Sequence, residues 1–146
     1  MRCTSLFLGE WIYNTDTKSH FKVFTSSKNW SDSRSHCLSL NADLASITSN
    51  GTNKFLINIM NNDFWSGGYL SDGSWRWSNS RSFFYKNWHS NEPNNYGGVG
   101  EDRIQVYLKS NGVGTWNDLR GTAKLNYICE KIQLGINFVN LFLFNN

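Results

Sequence analysis

Proline occurs once in this chain of 146 residues, as Pro93, and cysteine three times, as Cys3, Cys37 and Cys129. Three cysteines with no C-x-x-C pair exclude a zinc finger and leave room for one disulfide and one spare thiol. Charge is scarce as well. Asp, Glu, Lys and Arg make up 17% of residues, and the formal net charge of +3 comes from basic residues scattered singly. Without a basic run, no nucleic-acid or membrane-surface partner is expected. No stretch of eighteen apolar residues exists, so no membrane insertion is expected either. The first nine residues hold one basic and a few apolar side chains, short of an evident secretory signal. They read as the start of a mature domain, of a fragment, or of a gene model missing its first exon.

What is present can bury a core: 39% of residues are apolar and 16% aromatic, seven of them tryptophan. That balance excludes disordered, coiled-coil and collagen-like chains, and with no internal repeat it points to one domain. Two N-x-[ST] sequons occur, at Asn29 and Asn50, which in an Asn-rich chain support secretion only weakly. Residues 132–146 turn apolar but are broken by Asn137 and Asn140. A terminal strand, a disordered end or a mistranslated intron is expected there in preference to a membrane anchor. The division is therefore an N-terminal segment 1–10, a domain 11–131 and a tail 132–146.

Along the domain, Phe21-Lys22-Val23-Phe24 reads as a strand and residues 30–38 as a helix with Trp30, Arg34, Cys37 and Leu38 at helical spacing. Asn41 ends it, residues 43–47 read as a strand, and residues 52–60 as a second helix burying Phe55, Leu56 and Ile59. An apolar run at 64–70 leads through the Asp72-Gly73 turn to Trp75-Arg76-Trp77. From 78 to 100 there is little periodicity, and a loop of that length inside a domain is usually functional. Regular structure returns at 104–108, 115–117 and 127–129. Two helices followed by strands predict an α+β fold.

The long loop contains Glu92-Pro93-Asn94-Asn95 and then Glu101-Asp102, and Trp116-Asn117-Asp118 follows at a strand. Oxygen ligands from Glu, Asn and Asp, with no His or Cys beside them, suit a hard cation such as calcium. The only proline sits where a cis Glu92-Pro93 bond would turn the two flanking side-chain carbonyls toward one point.

These residues, with Trp30 and Cys37, Ala42-Asp43-Leu44-Ala45-Ser46-Ile47, Trp65-Ser66-Gly67-Gly68, Trp75-x-Trp77, Asn87-Trp88 and Tyr127-Ile128-Cys129-Glu130, resemble a C-type lectin-like domain from about Trp11 to Lys131. The resemblance implies a double-loop fold of two helices, small antiparallel sheets and a long calcium-binding loop. It implies a disulfide between Cys37 and Cys129, and a calcium site made by Glu92, Asn94, Glu101, Asn117 and Asp118. Sugar would bind that ion through two vicinal hydroxyls, with Glu92 and Glu101 as acceptors and Asn94 and Asn117 as donors. The Glu-Pro-Asn order goes in the family with mannose, fucose or N-acetylglucosamine. The implied protein is a secreted or extracellular lectin whose partners are glycans or glycoproteins, with oligomers a route to avidity. The alternative is a calcium-independent, protein-binding lectin-like domain.

The chain also departs from the family pattern. Arg103 and Gly121 stand where a second disulfide is usual, which predicts a floppier loop that leans on the ion for order. One extra residue lies between Asn94 and Glu101. Cys3 is left unpaired or pairs with something outside this sequence, and a second calcium site near Asp72, Asn95 and Asp102 is not expected. The tryptophans read as core rather than sugar platforms, and His89 as a solvated loop residue. No catalytic constellation appears: there is no G-x-S-x-G elbow, and Glu92 and Glu101 as calcium ligands would be ionised and unable to act as an acid.

Overall fold

The computed structural model describes residues 9–108 and 114–133; Cys3 and the tail from 134 onward lie outside them. The element order is β1 (Ile12–Asn14), β2 (Ser19–Lys28), α1 (Trp30–Ser39), β3 (Asp43–Leu44), α2 (Asn50–Ile59), β4 (Phe64–Ser71), β5 (Ser74–Trp77), β6 (Arg103–Val106), β7 (Trp116–Leu119) and β8 (Leu125–Ile132). Among the described residues no helix is long and apolar enough to cross a membrane.

The α+β expectation holds, with corrections of detail. The strands join in one mixed sheet ordered β1-β2-β8-β4-β6-β7, with β3 on β8 and β5 on β4, rather than in separate small antiparallel sheets. One pairing, β4 with β8, is parallel; the other ladders are antiparallel. The last strand thus returns to the middle of the sheet, beside β2 from the start of the chain.

Period-two alternation sorts the core onto two faces. Phe64, Ile128 and Val23 enter a cluster with Ile47, Leu56, Trp77, Ile104 and Trp116. Their strand neighbours Trp65, Tyr127 and Cys129 enter another with Trp30, Cys37 and Leu44. Helix α1 starts where Asn29 Oδ1 accepts the Asp32 amide at 2.8 Å and ends before Asn41, whose φ is 55°. Helix α2 starts two residues earlier than its apolar pattern predicts, because Ser49 caps it through the Thr52 amide at 3.0 Å. Its fully buried side chains are Thr52, Asn53 and Leu56, with Phe55 and Ile59 only partly buried. Asn53 lies inward because its amide accepts from Trp116 Nε1 at 3.1 Å and donates to Gly114 O at 3.1 Å.

The predicted strand at 43–47 shortens to two residues. Beyond Leu44 the backbone bonds to three different neighbours: Ala45 N to Ile128 O at 2.9 Å, Gly67 N to Ala45 O at 2.8 Å, and Ser46 N to Glu130 Oε2 at 2.9 Å. Glu130 itself is 2% exposed. It is satisfied by Ser19, Ser46, Asn79 and Arg81, the last an ion pair at 3.2 Å.

Gly67 makes the close approach between β4 and the Leu44 backbone possible. A Cβ there would stand 2.9 Å from the Leu44 carbonyl oxygen and 2.6 Å from Ser78 Oγ. The hydroxyl can swing aside, but the carbonyl cannot. Gly67→Ala is expected to lower stability by about 1–3 kcal/mol, the usual range for overpacking. Urea unfolding checks this, and a midpoint equal to wild type would show that the sheet yields freely.

Candidate functional site

The loop between β5 and β6 carries most of the predicted oxygen ligands, and β7 presents the others from the sheet. Two β-bridging contacts hold the loop to β7: Trp116 N donates to Asn87 O and His89 N to Trp116 O, each at 2.8 Å. His89 is half-buried, with Nδ1 3.0 Å from Thr115 Oγ1, so it is a joint of the loop rather than a solvated side chain. Trp88 packs edge-on against Trp116 and tilted against Trp75.

The Glu92-Pro93 bond is cis. Asn94 Nδ2 donates to Glu92 Oε1 at 2.9 Å. From the sheet side, Asp118 is 2% exposed and accepts two loop amides, Asn94 N at 3.0 Å on Oδ1 and Asn95 N at 2.8 Å on Oδ2. Asp118 therefore fixes the loop and faces Glu92 at the same time. Glu101 is turned onto the Tyr96 amide at 2.7 Å. Asn117, 7% exposed, donates its Nδ2 to Gln105 Oε1 at 3.0 Å. A cleft of about 340 Å³ lined by Trp75, Pro93, Asn94, Glu101 and Asp118 opens above this group.

Electrostatics show how close the acids lie. Burial, Asp118 and then Glu101 push the Glu92 carboxyl from its ordinary value to about 7. Burial, and then Glu92, Asp63, Glu101 and Asp118, also push the Tyr107 hydroxyl up. Glu92 Oε2 is buried and meets no hydrogen-bond donor among the described residues, facing the Asp118 carboxylate instead. An orphaned carboxylate oxygen beside two further carboxylates is a deficit of positive charge, which a hard cation fits. Among the described residues no three His, Cys, Asp or Glu side chains form a metal cage by themselves. A cation held here would need the Asn94 and Asn117 amides as well, and Glu101 would have to leave the Tyr96 amide to reach it.

Sequence reasoning missed Gln105 and the part Asn95 plays in organising this site. Gln105 holds Asn117 and in turn donates to Asp63 Oδ2 at 3.1 Å. Asn95 Oδ1 accepts the amides of Gly100 and Glu101, each at 3.0 Å, which closes the extra-long turn between Asn94 and Glu101. A polar residue between Ile104 and Val106 in a buried strand was the only available signal for Gln105. Trp75 stands partly in the cleft wall rather than wholly in the core, whereas Trp30, Trp65, Trp77 and Trp116 are buried as expected. The predicted Cys37–Cys129 disulfide is formed.

The family model for the lectin C-type domain matches residues 26–131. Rat versican core protein is 27% identical over 113 residues, 76% of this chain and 4% of versican, so the chain spans a small part of that relative. The cow C-type carbohydrate-recognition domain of CD23, solved in the presence of GlcNAc2Man3 oligosaccharide, is 27% identical with a TM-score of 0.76 over 86% of this chain and 95% of that one. A calcium-independent type II antifreeze protein superposes with a TM-score of 0.78 over 86% of this chain and 94% of its own, at 22% identity, a likeness of fold alone.

Proposed function

This chain belongs to the C-type lectin domain family, and from that premise we propose that it binds mannose-, fucose- or N-acetylglucosamine-type glycans through calcium. Domains of this family are lectin-like binding modules, and many of them bind calcium. The observation that carries the proposal is the orphaned, buried Glu92 Oε2 among Asp118 and Glu101. Glu92, Asn94, Glu101, Asn117 and Asp118 would hold the ion. Calcium there would supply open coordination positions for two neighbouring sugar hydroxyls. Glu92 and Glu101 would accept the hydroxyl protons' hydrogen bonds, and the Asn94 amide, released from Glu92, would donate to a sugar oxygen. Asn117 is the most constrained member, since Gln105 already takes its N–H. The disulfide, which persists in oxidising compartments, supports an extracellular setting.

A glycan array read in calcium and in chelator tests the proposal. Mannose- or fucose-terminated glycans should bind in calcium only, and a blank array in calcium would overturn the reading. The second reading, a calcium-independent domain for protein partners, draws on Glu101 lying on Tyr96 and Asn117 on Gln105. An unchanged melting midpoint at millimolar calcium would favour it, because any ligand of the native state alone raises that midpoint.

Proton competition supplies a prediction of opposite trends. In the metal-free protein Glu92 holds its proton up to about pH 7, above its unfolded value. Its contribution to metal-free stability is therefore fully present below the unfolded pKa and is lost as pH rises through about 7. Calcium needs the ionised form, so calcium-dependent stabilisation grows over the same interval. The gap between melting midpoints with and without calcium should thus widen from about pH 5 to about pH 8. Parallel trends would show that Glu92 is not a ligand.

A further inference from the structure

We propose that Asn50 carries an N-linked glycan. Asn50 is exposed, opens α2, and makes no side-chain hydrogen bond among the described residues. The neighbouring Ser49, not Asn50, caps the helix, so derivatising the Asn50 amide breaks no contact. Asn29, in the other sequon, is half-buried and holds Asp32 with both ends of its amide, at 2.8 Å each. Thr52 is fully buried, with its hydroxyl 3.0 Å from Ser49 Oγ, so the sequon is readable only before folding. In the transfer, Asn50 Nδ2 bonds to C1 of the first sugar and the C1–O bond to a polyprenyl pyrophosphate breaks. The amide proton leaves with the pyrophosphate. The test is translation of the full chain, behind an added secretory leader, into microsomes. Amidase release in heavy-oxygen water should then leave a labelled aspartate at position 50, and Asn50→Gln should lose one glycan's mass. A translocated chain with unmodified Asn50 would overturn the proposal.

A separate observation concerns the loop itself. The geometry points to Arg103 as a non-covalent latch for the segment bearing Glu101, a role whose bearing on calcium rests on the function proposed above. Arg103 Cζ lies 4.6 Å over the Trp30 ring, and Trp30 is tied to Gly121 O through its amide at 2.9 Å and to Ser66 O through Nε1 at 2.8 Å. A Cβ on Gly121 would sit 3.2 Å from Arg103 Cγ, so the glycine makes room for the arginine stem. Nη1 of Arg103 grips Asp102 twice, at its carbonyl (2.9 Å) and its carboxylate (2.8 Å). The same carbonyl accepts Leu70 N at 2.9 Å. The loop end is thus joined to α1, β4 and the β7–β8 turn with no cross-link. That amends the expectation of a floppy loop: a stacked cation does part of what a disulfide would.

Amide hydrogen exchange in chelator tests the latch without reference to calcium. Arg103→Met keeps the stem and removes the cation; Gly100 and Glu101 amides should exchange about tenfold faster, with β2 and β8 unchanged. The pair Arg103→Cys with Gly121→Cys, oxidised, should restore protection, and Arg103→Ser with Gly121→Ser should not. Wild-type exchange in Arg103→Met would overturn the latch. A parallel calcium titration of wild type keeps the two proposals apart, because absent calcium binding refutes the lectin reading and leaves the exchange result standing.

Discussion

Replacing both Cys37 and Cys129 with alanine is expected to remove about 4–5 kcal/mol of stability in the chain-entropy model. The bridge closes a separation of 92 residues, so its loss frees nearly the whole described domain in the unfolded state. Domains of this size are stable by about 5–15 kcal/mol, so the variant should stand at the edge of folding at body temperature. Packing adds to the effect. Both sulfurs are fully buried, among Trp30, Leu44, Trp65 and Tyr127, and alanine leaves small voids there. Burial also predicts kinetics: a thiol reductant reaches the bridge only through opening, so the reduction rate should rise with reductant concentration and then level off at the unfolding rate. Denaturant unfolding of wild type and variant measures the difference. A loss under about 1 kcal/mol would mean that the sheet order, not the bridge, holds β8 to α1.

The second large effect is functional. Asp118→Asn should abolish the calcium-dependent rise in melting temperature and weaken calcium-dependent glycan binding by about a hundredfold or more. Asp118 combines two tasks: its carboxylate accepts the Asn94 and Asn95 amides, and its charge faces Glu92. Asparagine keeps one accepting oxygen and removes the charge. In the metal-free protein the lost hydrogen bond and the relieved repulsion of Glu92 oppose each other, so the metal-free midpoint should move little. Asp118→Ala loses both amide acceptors and should fall in stability as well, by about 1–3 kcal/mol for each unsatisfied group. Calorimetric calcium titration beside chelator melts separates the two outcomes. Undiminished calcium affinity in Asp118→Asn would remove this residue from the site.

The site was legible in sequence to the extent that residue type carries chemistry. Glu92, Asn94, Glu101, Asn117 and Asp118 are oxygen donors wherever they stand, and the single proline marked the one bond in the loop where a cis form is cheap. Their present orientation was not legible. Glu101 rests on the Tyr96 amide through the closure of its own loop, and Asn117 is held by Gln105 because the β6–β7 register sets them opposite each other. The fold shows the same division. Both helices were readable from spacing, but strand 43–47 was overcounted, since a short apolar stretch does not say whether its backbone groups meet one neighbour or three.

Composition and motif order alone determined an α+β fold with a core rich in tryptophan, the family it belongs to and the oxygen-bearing side chains of its loop. Tertiary structure alone decided that β8 lies between β2 and β4, that Asp118 ties the loop to the sheet, and that Arg103 stacks on Trp30. The reason is physical. Periodicity, capping and ligand chemistry are properties of residues near one another in the chain. Register, burial of a carboxylate oxygen and the stacking of a cation depend on partners tens of residues away, which are brought together only when the sheet closes.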